Sequence, residues 1–80
     1  MSRARTPKTV VTFSSLSDAL AVEDAAKKHG FPGRIIPVPS AIDAGCGSAW
    51  AAQASERAQI EAALASYNLD YEGIFEVEMY

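Results

Sequence analysis

Arg34-Ile35-Ile36-Pro37-Val38-Pro39 is the stretch on which the fold turns. Its β-branched residues read as a strand. Proline has no N–H to give to a sheet ladder, so Pro37 and Pro39 place that strand at an edge, or mark where it leaves the sheet. Phe31-Pro32-Gly33 supplies the turn before it. Further upstream, Ser15-Leu16-Ser17-Asp18 is a capping signal, and Leu16, Ala19, Leu20 and Ala26 recur at helical spacing. Lys27, Lys28 and His29 then suit the negative end of the helix dipole, and Gly30 suits the left-handed position after it. Ahead of this helix, Thr9-Val10-Val11-Thr12-Phe13 reads as a first strand.

Downstream lies a small-residue turn, Asp43-Ala44-Gly45-Cys46-Gly47-Ser48, and then Ser48–Ala52, read as a short third strand. Ser55 is read as the cap of a second helix with Ile60, Leu64 and Tyr67 on one stripe, stopped by Asn68. In the final segment, residues 71–80, a period of two separates Phe75, Val77 and Met79 from Glu76, Glu78 and Tyr80. The first set is expected to face the helices. Strand, helix, strand, strand, helix, strand is the order of an α+β ferredoxin-like βαββαβ sandwich: a four-stranded antiparallel sheet with two helices on one face. The second and fourth strands of that fold are its edges, in keeping with Pro37 and Pro39.

Eighty residues make one domain with a thin core. Residues 1–8, with Arg3, Arg5 and Lys8, read as a disordered basic tail ahead of a single domain over 9–80. An apolar content of 49% with 21% charged residues is that of an ordinary globular chain. The formal charge of −3 argues against nucleic-acid binding. No apolar run is long enough for a bilayer or a secretory signal, so no membrane partner and a cytoplasmic location are expected. One cysteine excludes an intrachain disulfide, and one cysteine with one histidine falls short of a zinc site. Neither a phosphate-loop glycine pattern nor a catalytic triad signal is present, so no metal or cofactor is expected.

Chemistry concentrates on Cys46. Flanked by Gly45 and Gly47, its sulfur has no neighbouring side chains to cover it. Two readings stand: an accessible reactive thiol, or a small buried hydrophobe. His29 reads as a helix terminus rather than a catalytic base. In the expected topology the loop holding Cys46 shares an end of the sheet with the start of the first helix and the end of the second. That brings Ser14, Ser15 and the first-turn amides near the thiol, where the positive end of a helix stabilises a thiolate. Gly45 and Gly47 add backbone N–H donors for a bound anion. Helix capping is the competing use of Ser14 and Ser15.

Val11-Thr12-Phe13-Ser14-Ser15, Asp18-Ala19-Leu20-Ala21, Gly33-Arg34-Ile35-Ile36-Pro37-Val38-Pro39, Cys46-Gly47 and Tyr71-Glu72-Gly73-Ile74-Phe75 together resemble the putative selenium/sulfur carrier protein-like family of small bacterial domains. The resemblance covers nearly all of the chain beyond the basic tail. It implies a non-enzymatic carrier whose Cys46 holds sulfur or selenium as a persulfide or selenopersulfide. Its partners would be donor and acceptor proteins for that atom. Pro39 and Ser40 join Gly45, Gly47, Ser14 and Ser15 as candidate binding residues. Where family members often place arginine after the Pro-Val-Pro, this chain has Ser40, which leaves Arg34 as a substitute cation from the strand.

The competing class is a small interaction or regulatory domain, including a homodimer formed through the sheet, in which Cys46 is structural or redox-sensing. An RNA-binding module is a weaker rival. The aromatic-rich stacking motif of such sheets is missing, and Glu76 and Glu78 are expected on the open face. Trp50 and Tyr71 are read as packing residues with hydrogen-bonded polar tips.

Overall fold

The computed structural model describes residues 6–39 and 47–79. Strand β1 (Thr6–Thr12) leads into helix α1 (Leu16–His29), followed by β2 (Arg34–Pro37), β3 (Ser48–Gln53), a 3-10 turn (Ala54–Glu56), α2 (Arg57–Ser66) and β4 (Gly73–Met79). All strand pairs are antiparallel, in the order β2-β3-β1-β4. This is the expected α+β ferredoxin-like arrangement, with β2 and β4 at the edges. Pro37 pairs with Ser48 at the outer strand, where a missing N–H costs least.

β1 starts earlier than its β-branched run suggests, so Thr6, Pro7 and Lys8 are strand residues and not tail. Pro7 lies one position beyond the last β1–β3 pair, Lys8 with Gln53, and has only β4 beside it. An edge-like position of this kind tolerates proline. The rest of the expected tail lies outside the described residues.

Helix α1 is bounded as its sequence predicts. Ser15, extended at φ −147° and ψ 156°, accepts from the Asp18 N–H. Gly30 takes the left-handed conformation at φ 75° and returns its N–H to the Ala26 carbonyl at 2.7 Å. The buried stripe differs from expectation, because it is made of Ala19, Val22 and Ala25 while Leu16 and Leu20 are 56% and 49% exposed. The bulky core side chains are Phe13, Trp50 and Ile60, so α1 contributes small residues where it lies on the sheet.

The start of α2 also departs from the sequence reading. Ser55 is not the cap: it lies within the 3-10 turn that precedes α2, a turn capped at Gln53, whose N–H donates to Glu56 Oε1 at 2.9 Å, and Glu56 itself is the N-cap of α2 without a side-chain cap bond. Ile60, Ala63 and Leu64 are buried, and Asn68 ends the helical run at φ 55°. Tyr67 stacks on His29 with ring centroids 3.9 Å apart. The end of α2 therefore rests against the end of α1 and away from the start of that helix, contrary to the expected placement.

The alternation of β4 has the opposite sense to the one expected. Ile74 pairs with Val11 and packs under the helices, whereas Phe75 pairs with Val10 and Val77 with Lys8 on the opposite face. A one-residue change of facing inverts a whole strand, and here both sheet faces are apolar, so hydrophobicity alone did not fix the sense. Val10, Ile36, Ala49 and Ala51 form a second buried cluster behind the sheet, joined by Val38 and Val77. Glu76 and Glu78 lie on the helix side and remain exposed on the outer strand.

Candidate functional site

The cysteine loop springs from the end of the β2–β3 hairpin. Beyond the Pro37–Ser48 pair, the Val38 N–H donates to the Gly47 carbonyl at 3.1 Å, which closes the hairpin around residues 39–46. Ser40, Gly45 and Cys46 lie outside the described residues. Of the residues expected at the site, Pro39 and Gly47 stand at the two feet of the loop, with Pro39 half-buried and Gly47 exposed. Among the described residues, a Cβ on Gly47 would meet nothing within 4 Å.

Register puts this foot at one end of the sheet with the β1–α1 junction and the start of β4. Thr12 pairs with Ala49 on one side and Gly73 on the other, and its carbonyl accepts from the Glu72 N–H at 2.7 Å. Ser14 and Ser15 follow directly. Topology thus brings the start of α1 to the loop's end of the sheet, as expected, while the end of α2 is not there.

Both serine hydroxyls have local partners. Ser15 Oγ accepts from Asp18 N–H at 3.4 Å, and Ser14 Oγ donates to Asp18 Oδ2 at 3.5 Å. The Asp18 carboxylate therefore already stands at the positive end of α1, where it is favoured by the dipole. The sequence places Asp18 in the capping signal, and the structure adds the Ser14 contact four residues back.

Arg34 does not serve this end. It pairs with Ala51, three pairs along from Pro37–Ser48, which is about 10 Å at strand spacing. The face opposite the helices carries Lys8, Arg34 and Phe75, whereas Glu76 and Glu78, expected there, lie on the helix side. The central strands β1 and β3 still place no aromatic residue on that face, since Trp50 lies with the helix-side core. Trp50 is 3% exposed and donates Nε1–H to the Pro32 carbonyl at 3.0 Å, a packing residue with a satisfied tip.

Leu16 and Tyr71, at 56% and 47% exposure, flank the same end of the sheet, with Leu20 one turn further along α1. Helical spacing had assigned Leu16 and Leu20 to the core. No helix among the described residues is long and apolar enough to cross a membrane.

These features define a small ferredoxin-like domain in which the sequence containing Cys46 joins the edge strand β2 to β3. The model of the putative Se/S carrier protein-like family matches residues 8–76, and the chain belongs to that family. No curated protein and no solved structure matches it.

Proposed function

We propose that this domain is a stoichiometric carrier that accepts sulfur or selenium on Cys46 and hands it to a partner enzyme. Family membership across residues 8–76, a span that includes the single cysteine, is the observation that carries this reading. In the loading step the Cys46 thiolate attacks the terminal chalcogen of a donor persulfide or selenopersulfide. The donor's bond to that atom breaks, its electron pair leaves on the donor thiolate, and a new bond forms to Cys46 sulfur. Delivery repeats the exchange with an acceptor thiol, so no external oxidant or reductant is consumed.

In this reading Gly45 and Gly47, which have no side chains, flank Cys46 in sequence, and Pro39 and Ser40 follow directly on the edge strand. Ser14 and Ser15 act by capping α1. The exposed Leu16, Leu20 and Tyr71 give donor and acceptor proteins an apolar surface next to the loop. A cytoplasmic location, where thiols are kept reduced, suits this use.

The test is the intact mass of protein purified without oxygen, then exposed to a sulfur or selenium donor, with Cys46→Ser as control. The expected result is one added chalcogen atom, released by reductant and absent from the variant. A folded protein whose thiol takes no adduct and labels only after denaturation would overturn the carrier and leave an interaction domain with a structural cysteine. A mixed disulfide with no added chalcogen would point instead to redox sensing.

A further inference from the structure

Away from the cysteine loop, the face of the sheet opposite the helices holds a cavity of about 490 Å³. That lies within the range of small-molecule sites, roughly 300 to 1,000 Å³. Lys8 stands opposite Gln53 across β1 and β3, and Arg34 stands opposite Ala51 across β3 and β2. The two cations therefore flank β3 from either side. The small Ala51, with buried Ile36 beside it, forms an apolar floor between them.

Both rims are fixed by hydrogen bonds. On one side, Trp50 Nε1–H holds the Pro32 carbonyl at 3.0 Å, and Gly33, at φ 122°, sits so close that a Cβ would lie 2.8 Å from the Ala51 carbonyl oxygen. On the other, Gln53 N–H is held by Glu56 Oε1 at 2.9 Å, which occupies one oxygen of the only carboxylate that the described residues place in the lining. The ion pairs among the described residues are Lys28–Asp24 and Arg57–Glu61, so Lys8 and Arg34 have no carboxylate partner there. An open groove with an apolar floor and two cations without an ion-pair partner among the described residues, set against the single Glu56 carboxylate, keeps a net positive lining and is complementary to an amphipathic anion.

We infer that this cavity binds a small organic anion, its carboxylate or phosphate head between Lys8 and Arg34 and a short apolar body over Ile36 and Ala51. The site is separate from Cys46 and does not rest on the carrier reading.

The test is titration of the isotope-labelled protein with phenyl phosphate, followed by amide chemical shifts. Benzoate, inorganic phosphate and phenol serve as comparison probes. Saturable shifts confined to Gly33, Ala51, Gln53 and their neighbours are expected, with phenol and inorganic phosphate each binding more weakly than phenyl phosphate. Benzoate binding as well as phenyl phosphate would assign the head as a carboxylate-type anion, and weaker binding would assign it as a phosphate. Lys8→Gln and Arg34→Gln keep the side-chain stems and remove the charge, and each is expected to weaken binding by about tenfold. Their dispersed spectra report folding directly. Shifts that never saturate, that spread beyond the cavity, that phenol reproduces equally, or that persist unchanged in both variants would overturn the site.

Discussion

Trp50 and Pro32 are joined by an indole N–H that donates to a turn carbonyl at 3.0 Å, across a sequence separation of 18 residues. The bond ties the turn after α1 to the middle of β3, and Phe31 meets the same indole edge-on at a centroid distance of 6.1 Å. Gly33 completes the contact by letting the backbone pass against Trp50 and Ala51.

Gly33→Ala should destabilise the fold by about 2 to 4 kcal/mol, since a methyl group there combines a φ of 122° with a direct clash. Urea unfolding is the measurement. Gly47→Ala, with open space around it, should change stability by less than about 0.5 kcal/mol.

Glu56→Ala should cost about 1 kcal/mol by removing the acceptor for the Gln53 N–H, while Ser55→Ala should be nearly neutral. If Ser55→Ala proved the more damaging variant in thermal unfolding, the capping assignment would be wrong.

Ile60→Ala should cost about 2 to 4 kcal/mol, because Ile60 is 2% exposed in the main core. Leu20→Ala, at a side chain 49% exposed, should cost far less. Chemical denaturation of the two variants side by side checks which face of α1 and α2 is buried.

Thr9 is 1% exposed and its Oγ1 finds no hydrogen-bond partner among the described residues. Thr9→Val keeps the shape and removes an unsatisfied hydroxyl, so it should be neutral or stabilising by up to about 1 kcal/mol. A clear loss of stability in the same unfolding assay would mean that the hydroxyl is satisfied in solution.

His29→Gln should leave chalcogen loading of Cys46 unchanged, because His29 closes the end of α1 remote from the loop. Losing its stack on Tyr67 should lower stability by about 1 kcal/mol. Intact-mass loading together with a melting curve separates the two effects.

The sequence carried the order of elements, both edge strands and the two ends of α1, because Pro37, Ser15 and Gly30 act locally and their conformational demands hold in any context. Facing was harder to read. Phe75 and Ile74 are both apolar neighbours on β4, and only pairing with Val10 and Val11 on β1 decides which goes under the helices. Leu16 and Leu20 misled for a related reason: helical spacing gives a stripe, but the neighbouring Ala19, Val22 and Ala25 stripe fits closer to a sheet already filled by Phe13 and Trp50. At the candidate site, Ser14 and Ser15 could be placed by topology, whereas their commitment to Asp18 is a matter of side-chain geometry that spacing does not specify.

The Val38–Gly47 hydrogen bond joins the two ends of the connection between β2 and β3. Both feet are fixed to the sheet, so a change in the length of the segment between them leaves every strand register intact. Doubling such a segment costs only about 0.6 kcal/mol of closure entropy. The same sheet therefore accommodates shorter or longer segments between β2 and β3 without rearrangement, so the length of this connection can vary independently of the domain that carries it.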